Sequence, residues 1–142
     1  MTHILIVDDD EEIRDSLRLV LEEAGYTVEA CTNGEDCLEQ LRSSAHSLIV
    51  LVDYVMPRMS GMDMLHAVAA DACLSTRHTY VVVTASPQLL TPPEDHIPPT
   101  LQVPVIGKPF ELDVLLAAVA EAATRLPTLR GSEDNADSNR VY

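Results

Sequence analysis

Four short apolar runs along the chain each stop abruptly at a polar or charged residue. Ile4-Leu-Ile-Val7 runs into Asp8-Asp9, Leu48-Ile-Val-Leu-Val52 into Asp53, Tyr80-Val-Val-Val83 into Thr84, and Val103-Pro-Val-Ile-Gly107 into Lys108. Short apolar runs bounded by polar or turn residues read as buried strands. Between them the pattern changes to helical spacing. Ile13, Leu17, Val20, Leu21 and Ala24 recur at intervals of three and four after a start near Asp10 or Glu11, and Gly25 is placed to cap the end. A short strand is expected at Thr27 to Cys31. Asn33-Gly34 then turns into a second helix, Gly34 to Ser43, with Cys37, Leu38 and Leu41 inward. A strand over Ser47 to Val52 precedes a helix over Gly61 to Ala72 carrying Leu65, Val68 and Ala69. Strand four is Thr79 to Thr84, strand five Val103 to Ile106. A last helix runs from about Glu111 to Leu126, with Leu112, Leu115, Ala118, Val119 and Ala122 inward, and Pro127 ends it. Strands alternating with helices imply parallel pairing through right-handed crossovers.

One segment breaks the pattern. Residues Pro87 to Pro104 hold six of the nine prolines. Proline costs about 3 kcal/mol inside a helix and pushes the residue before it away from helical angles. Any helix between strands four and five is therefore expected to be shortened to a turn or two, or replaced by an extended loop.

A length of 142 residues suits one domain with one core, and 46% hydrophobic content is enough to fill it. The expected division is a domain over residues 1–126 and a disordered, polar, acidic tail over residues 127–142. No early apolar run resembles a signal peptide, and none reaches the roughly 20 residues that span a bilayer. The expectation is a soluble, cytoplasmic protein with no membrane partner. The formal charge of −14 repels phosphate backbones, so no nucleic acid is expected as a direct partner of this domain. Cys31, Cys37 and Cys73 fit no zinc or disulfide spacing and read as structural thiols. His3, His46, His66, His78 and His96 show no metal spacing and read as surface or packing residues. Met56, Met59, Met62 and Met64 read as packing, with a partner-docking patch as the alternative.

In open parallel sheets, binding sites form at the carboxyl ends of the strands. Three acids, a hydroxyl and an amine are delivered there by the apolar runs. Together they are the parts of a small magnesium and phosphoryl site. Asp10, Glu11 and Glu12 have a simpler reading, as a charged helix start favoured by the helix dipole.

These pieces resemble the receiver domain of bacterial two-component response regulators. The matching segments are Asp8-Asp9 after strand one, Asp53-x-x-Met-Pro-x-Met-x-Gly61, Thr84-Ala85 and Lys108-Pro109-Phe110, in family order over roughly Thr2 to Arg125. The resemblance implies an α/β, flavodoxin-like, doubly wound sheet of five parallel strands in the order 2-1-3-4-5, with helices on both faces. It implies that Asp53 accepts a phosphoryl group from a histidine kinase or a histidine phosphotransfer protein. Asp9 would bind Mg²⁺ directly and Asp8 mainly through water, with Asp53 and the backbone carbonyl of Val55 completing the protein ligands. Lys108 would pair with the phosphoryl oxygens, and Thr84 would hydrogen-bond one of them. The family usually carries Tyr or Phe three residues before the lysine, as a switch that tracks the threonine. Here that residue is Val105, which cannot swing as a ring does.

The expected function is therefore a stand-alone receiver, not an enzyme, that signals through protein contacts with an unidentified output partner or passes the phosphoryl group onward. Whether copies pair as a homodimer is left open. Two alternatives remain. One is a phosphorylation-independent interaction module with the same fold, favoured by Val105 and the proline-rich stretch. The other is an aspartyl-phosphate phosphohydrolase, disfavoured because strand one lacks the Asp-x-Asp such enzymes usually use.

Overall fold

The computed structural model describes residues 2–54, 59–85, 101, 103–108 and 110–127. The elements in chain order are β1 (His3–Val7), α1 (Glu11–Glu23), β2 (Thr27–Cys31), α2 (Gly34–Ser43), β3 (Leu48–Val52), α3 (Gly61–Ala69), α4 (Ala72–Arg77), β4 (Thr79–Thr84), β5 (Val105–Gly107) and α5 (Leu112–Thr124). The proline-rich stretch over residues 87–100 and the tail from residue 128 lie outside the described residues. The same holds for Val55 and Pro109.

The strands form one parallel sheet in the order β2-β1-β3-β4-β5, the flavodoxin-like arrangement expected. Alternate side chains along each strand point to opposite faces, so each strand feeds two cores. Leu5, Val7, Val50, Val52 and Val82 pack with Cys37, Leu41, Leu65, Val68 and Leu74 from α2, α3 and α4. Ile4, Ile6, Ile49, Leu51 and Val83 pack on the other face with Leu17 and Leu21 of α1 and Leu115, Val119 and Ala122 of α5. Strands covered on both faces read as unbroken apolar runs rather than alternating ones, which is why they stand out in the sequence.

The helix starts are set by local chemistry. Asp10 caps α1, its carboxylate accepting from the Glu12 and Ile13 amides at 2.9 and 3.3 Å. Asn33 caps α2 through the Asp36 amide, and Ser60 caps α3 through the Asp63 amide. Each is a short polar side chain that satisfies an otherwise unpaired helical N–H. Gly25, with φ of 102°, follows the end of α1 as its position suggested.

Several boundaries differ from expectation. The single helix expected over Gly61 to Ala72 is two, because Asp71 leaves the helix and caps α4 through the Cys73 and Leu74 amides. Strand β5 starts at Val105, not Val103. Pro104 has no N–H to give to the ladder, although its carbonyl accepts from the Val82 amide at 2.9 Å. Helix α5 ends at Thr124, short of Leu126 and Pro127, and Leu112, expected inward, is 47% exposed at its first turn. Ala24 is the exposed C-cap of α1 rather than a core residue.

Candidate metal and phosphoryl site

The strand register places the chemistry. Val7 of β1 is paired with Val52 of β3, so the residues that follow, Asp8 and Asp53, emerge side by side. The ladder continues one step beyond the strands. The Asp53 amide donates to the Val7 carbonyl at 2.9 Å, the Asp8 amide to the Cys31 carbonyl at 3.2 Å, and the Lys108 amide to the Thr84 carbonyl at 2.7 Å. These bonds join β3 to β1, β1 to β2 and β5 to β4, so all five strand ends are tied to a neighbour at one edge of the sheet.

At that edge the carboxylates of Asp8, Asp9 and Asp53 converge, each offering an oxygen within 4.8 Å of the others. Their environments differ. Asp8 is 3% exposed, Asp53 is half-buried and Asp9 is exposed to solvent. A buried carboxylate is costly unless it is paired and hydrogen-bonded. Asp8 has both kinds of partner: its Oδ1 accepts from the Asp10 amide at 2.9 Å, and its Oδ2 accepts from Lys108 Nζ at 2.9 Å. The same ammonium stands 3.6 Å from Asp53 Oδ2. Thr84, only 1% exposed, ends β4 next to Gly107 in register, one residue from Lys108.

The donors are oxygen atoms of closely spaced carboxylates, the hard ligand set that magnesium prefers, with the exposed side of Asp9 leaving room for retained waters. The acids therefore fit a divalent cation. Of the residues singled out in the sequence, Asp8, Asp9, Asp53, Thr84 and Lys108 all lie at this edge. The Val55 carbonyl lies outside the described residues.

The loop after Asp53 is also held. The Gly61 amide donates to the Tyr54 carbonyl at 3.0 Å. A methyl group built on Gly61 would collide with the Asp53 carbonyl and stand 3.0 Å from the Tyr54 Cα. Glycine is needed here for close backbone approach, not for an unusual φ. Val105, at the position where the resemblance implies an aromatic switch, is partly buried and packs on the core beneath α3 and α4.

One contact at the site carries no signal in the local sequence. Arg14 of α1 donates from Nη1 to the Asp8 backbone carbonyl at 2.8 Å. Away from the site, His78 is fully buried, accepting from the Leu48 amide through Nδ1 at 2.9 Å and meeting the Leu41 carbonyl through Nε2 at 3.2 Å. That pairing fixes the neutral ring with its proton on Nε2. Its pKa is lowered to about 4, chiefly by burial, with the Leu41 bond opposing the shift and the Arg77 charge adding to it. A scattered single histidine carries no sequence signal for such a role.

Among the described residues, no helix is long and apolar enough to cross a membrane. The model of the response regulator receiver domain family matches residues 4–120. The transcriptional regulatory protein YkoG of Bacillus subtilis is 34% identical over 126 residues, covering 84% of this chain and 50% of that protein. The response regulator MprA of Mycolicibacterium vanbaalenii is 30% identical, covering 94% of this chain and 55% of that protein. The chain thus spans about half the length of these curated relatives. Among solved structures, a sensor protein from Polaromonas matches with a TM-score of 0.77 at 24% identity, over 87% of this chain and 96% of that one. The response regulator TrrA from Thermotoga maritima, in complex with Mg²⁺ and BeF, matches with a TM-score of 0.72 at 25% identity, over 86% and 99%. The matched span, the sheet order and the converging acids agree: this chain belongs to the response regulator receiver domain family.

Proposed function

We propose that the chain is a phosphoryl-accepting receiver in which Asp53 is the acceptor, Asp8 and Asp9 hold Mg²⁺ together with Asp53, and Lys108 and Thr84 attend the transferred group. The observation that carries this reading is the convergence of three carboxylates within 4.8 Å, with one ammonium reaching two of them. A phosphoryl anion approaching a carboxylate is repelled unless positive charge is placed between or beside them. A bound Mg²⁺ supplies that charge where the transferring oxygens develop it.

The chain's own residues do the rest. A carboxylate oxygen of Asp53 forms a bond to phosphorus as the phosphorus–nitrogen bond of a donor phosphohistidine breaks, its electron pair returning to the imidazole. Lys108 moves from Asp8 towards the new phosphoryl oxygens, and the Thr84 hydroxyl donates to one of them. The donor is a histidine kinase or a histidine phosphotransfer protein, and the output is a protein contact or onward transfer. The protein works in the cytoplasm, with no metabolic substrate. Residues 1–126 form this receiver, and residues 127–142 are a polar appendage.

Intact mass after incubation with acetyl phosphate and Mg²⁺ tests the reading. One added phosphoryl group is expected in the wild type, none in D53N and none without Mg²⁺. If neither acetyl phosphate nor a phosphorylated kinase adds mass, the phosphorylation-independent module takes its place. The relatives named as transcriptional regulators favour nucleic acid as a more distant target of the pathway. Under the present reading the isolated chain shifts no DNA in a gel.

A further inference from the structure

We propose that Arg14 is a positioning residue of the acid site: by holding the Asp8 carbonyl it orients the peptide that joins Asp8 to Asp9, and so sets how tightly the three acids bind a divalent cation. The inference rests on the reading of Asp8, Asp9 and Asp53 as magnesium ligands.

The carbonyl that Arg14 grips at 2.8 Å belongs to the Asp8–Asp9 peptide unit. That unit is planar, so fixing its oxygen fixes the direction in which the Asp9 backbone leaves. The two acids differ in support. Asp8 is buried and doubly bonded, whereas Asp9 is exposed beyond the strand end. The aim of the Asp9 carboxylate depends on the backbone beneath it. The Asp10 amide, one residue on, closes the turn by donating to Asp8 Oδ1 at 2.9 Å. Arg14 and the Asp10 amide therefore hold Asp8 at its main chain and its side chain, with Asp9 between them.

The position of Arg14 in the helix points the same way. It is the fourth residue of α1, within the first turn, where the helix dipole disfavours a cation. Helical side chains lean back towards the N-terminus, and this one leans across the turn to a carbonyl six residues earlier. A planar guanidinium that is always charged suits a carbonyl flanked by acids better than a mobile ammonium does. Groups that orient metal ligands without touching the metal commonly alter affinity by about 10- to 100-fold when removed.

The experiment compares the wild type, R14A, R14K and R18A, the last an exposed arginine on the same helix. Mg²⁺ affinity is read by calorimetry, and amide hydrogen exchange is read on metal-free protein. R14A is expected to weaken Mg²⁺ binding by about tenfold and to speed exchange of the Asp10 amide without metal. R14K is expected to recover part of the affinity, and R18A to match the wild type. Wild-type affinity in a folded R14A overturns the proposal, and so does an equal loss in R18A, which would mark a general charge effect. If the wild type binds no Mg²⁺, the magnesium reading of the site fails. The metal-free exchange then decides on its own, since unchanged exchange at Asp10 in R14A and R14K overturns the positioning role.

Discussion

Lys108 stands closer to Asp8 than to Asp53: its ammonium is 2.9 Å from one carboxylate and 3.6 Å from the other. Under the proposal that these acids hold Mg²⁺, the ammonium and the metal compete for the same two carboxylates, and the lysine yields part of its place when a divalent ion binds.

K108A should therefore separate binding from chemistry. Removing a unit charge from beside the acids should strengthen Mg²⁺ binding by about thirtyfold, the weight of the ~2 kcal/mol repulsion between a single and a double charge at ~4 Å and high dielectric. Phosphorylation by acetyl phosphate should slow by about 100-fold, because a donor to the developing charge is gone. Calorimetry with Mg²⁺ and timed intact-mass measurements read the two effects. Weaker metal binding in K108A would contradict the competition.

His78 makes stability depend on pH. Its folded pKa is about 4, against 6.5 for the free side chain. Between those values the unfolded chain binds more protons, so stability rises with pH. The contribution is complete above pH 6.5 and is lost as pH falls to about 4, amounting to up to about 3 kcal/mol. Urea denaturation of the wild type and H78Q across this window checks it. Carboxylates titrate in both proteins, so the flatter profile expected for H78Q isolates the histidine.

G61A should be harmful for a steric reason. The added methyl meets the backbone at Asp53 and Tyr54, which cannot move aside as a flexible side chain would. A loss of about 1–3 kcal/mol is expected, together with slower phosphorylation, because the strain falls on the acceptor loop. G25A should cost about 1 kcal/mol through its positive φ and leave the phosphorylation rate unchanged. Urea melts and acetyl phosphate labelling of both variants distinguish the two kinds of glycine.

Asp10 is acidic like its neighbours, but its carboxylate serves the helix. D10A should destabilise the protein by about 1 kcal/mol, and D10S should restore most of that, since serine caps comparably. Mg²⁺ affinity should change far less in D10S than in D9A, because the Asp10 amide remains to bond Asp8. A D10S affinity as weak as that of D9A would move Asp10 into the metal site.

The strands and most of the helices were legible because this sheet is covered on both faces. Every residue of β3 from Ile49 to Val52 is buried, so its run is continuous and its end at Asp53 is abrupt. Helix starts were legible where a short polar residue precedes a periodic run, as at Asn33. They were missed at Asp71, where the apolar positions continue through Ala70 and Ala72 and hide the break. Leu112 was misplaced because helical periodicity gives a face but not where the neighbouring layer stops. The expectation of a shortened helix near Pro92 and Pro93 falls outside the described residues.

The sequence by itself determined which residue types stand at the strand ends, because burial dictates apolar runs and chemistry dictates what interrupts them. It could not determine how those ends meet. The parallel register that sets Asp8 beside Asp53, the reach of Lys108 to Asp8 across a hundred residues, the burial of His78 and the grip of Arg14 on the Asp8 carbonyl were decided by tertiary structure. Each depends on the distance between segments remote in the chain or on the direction of a long side chain. Local propensity carries neither.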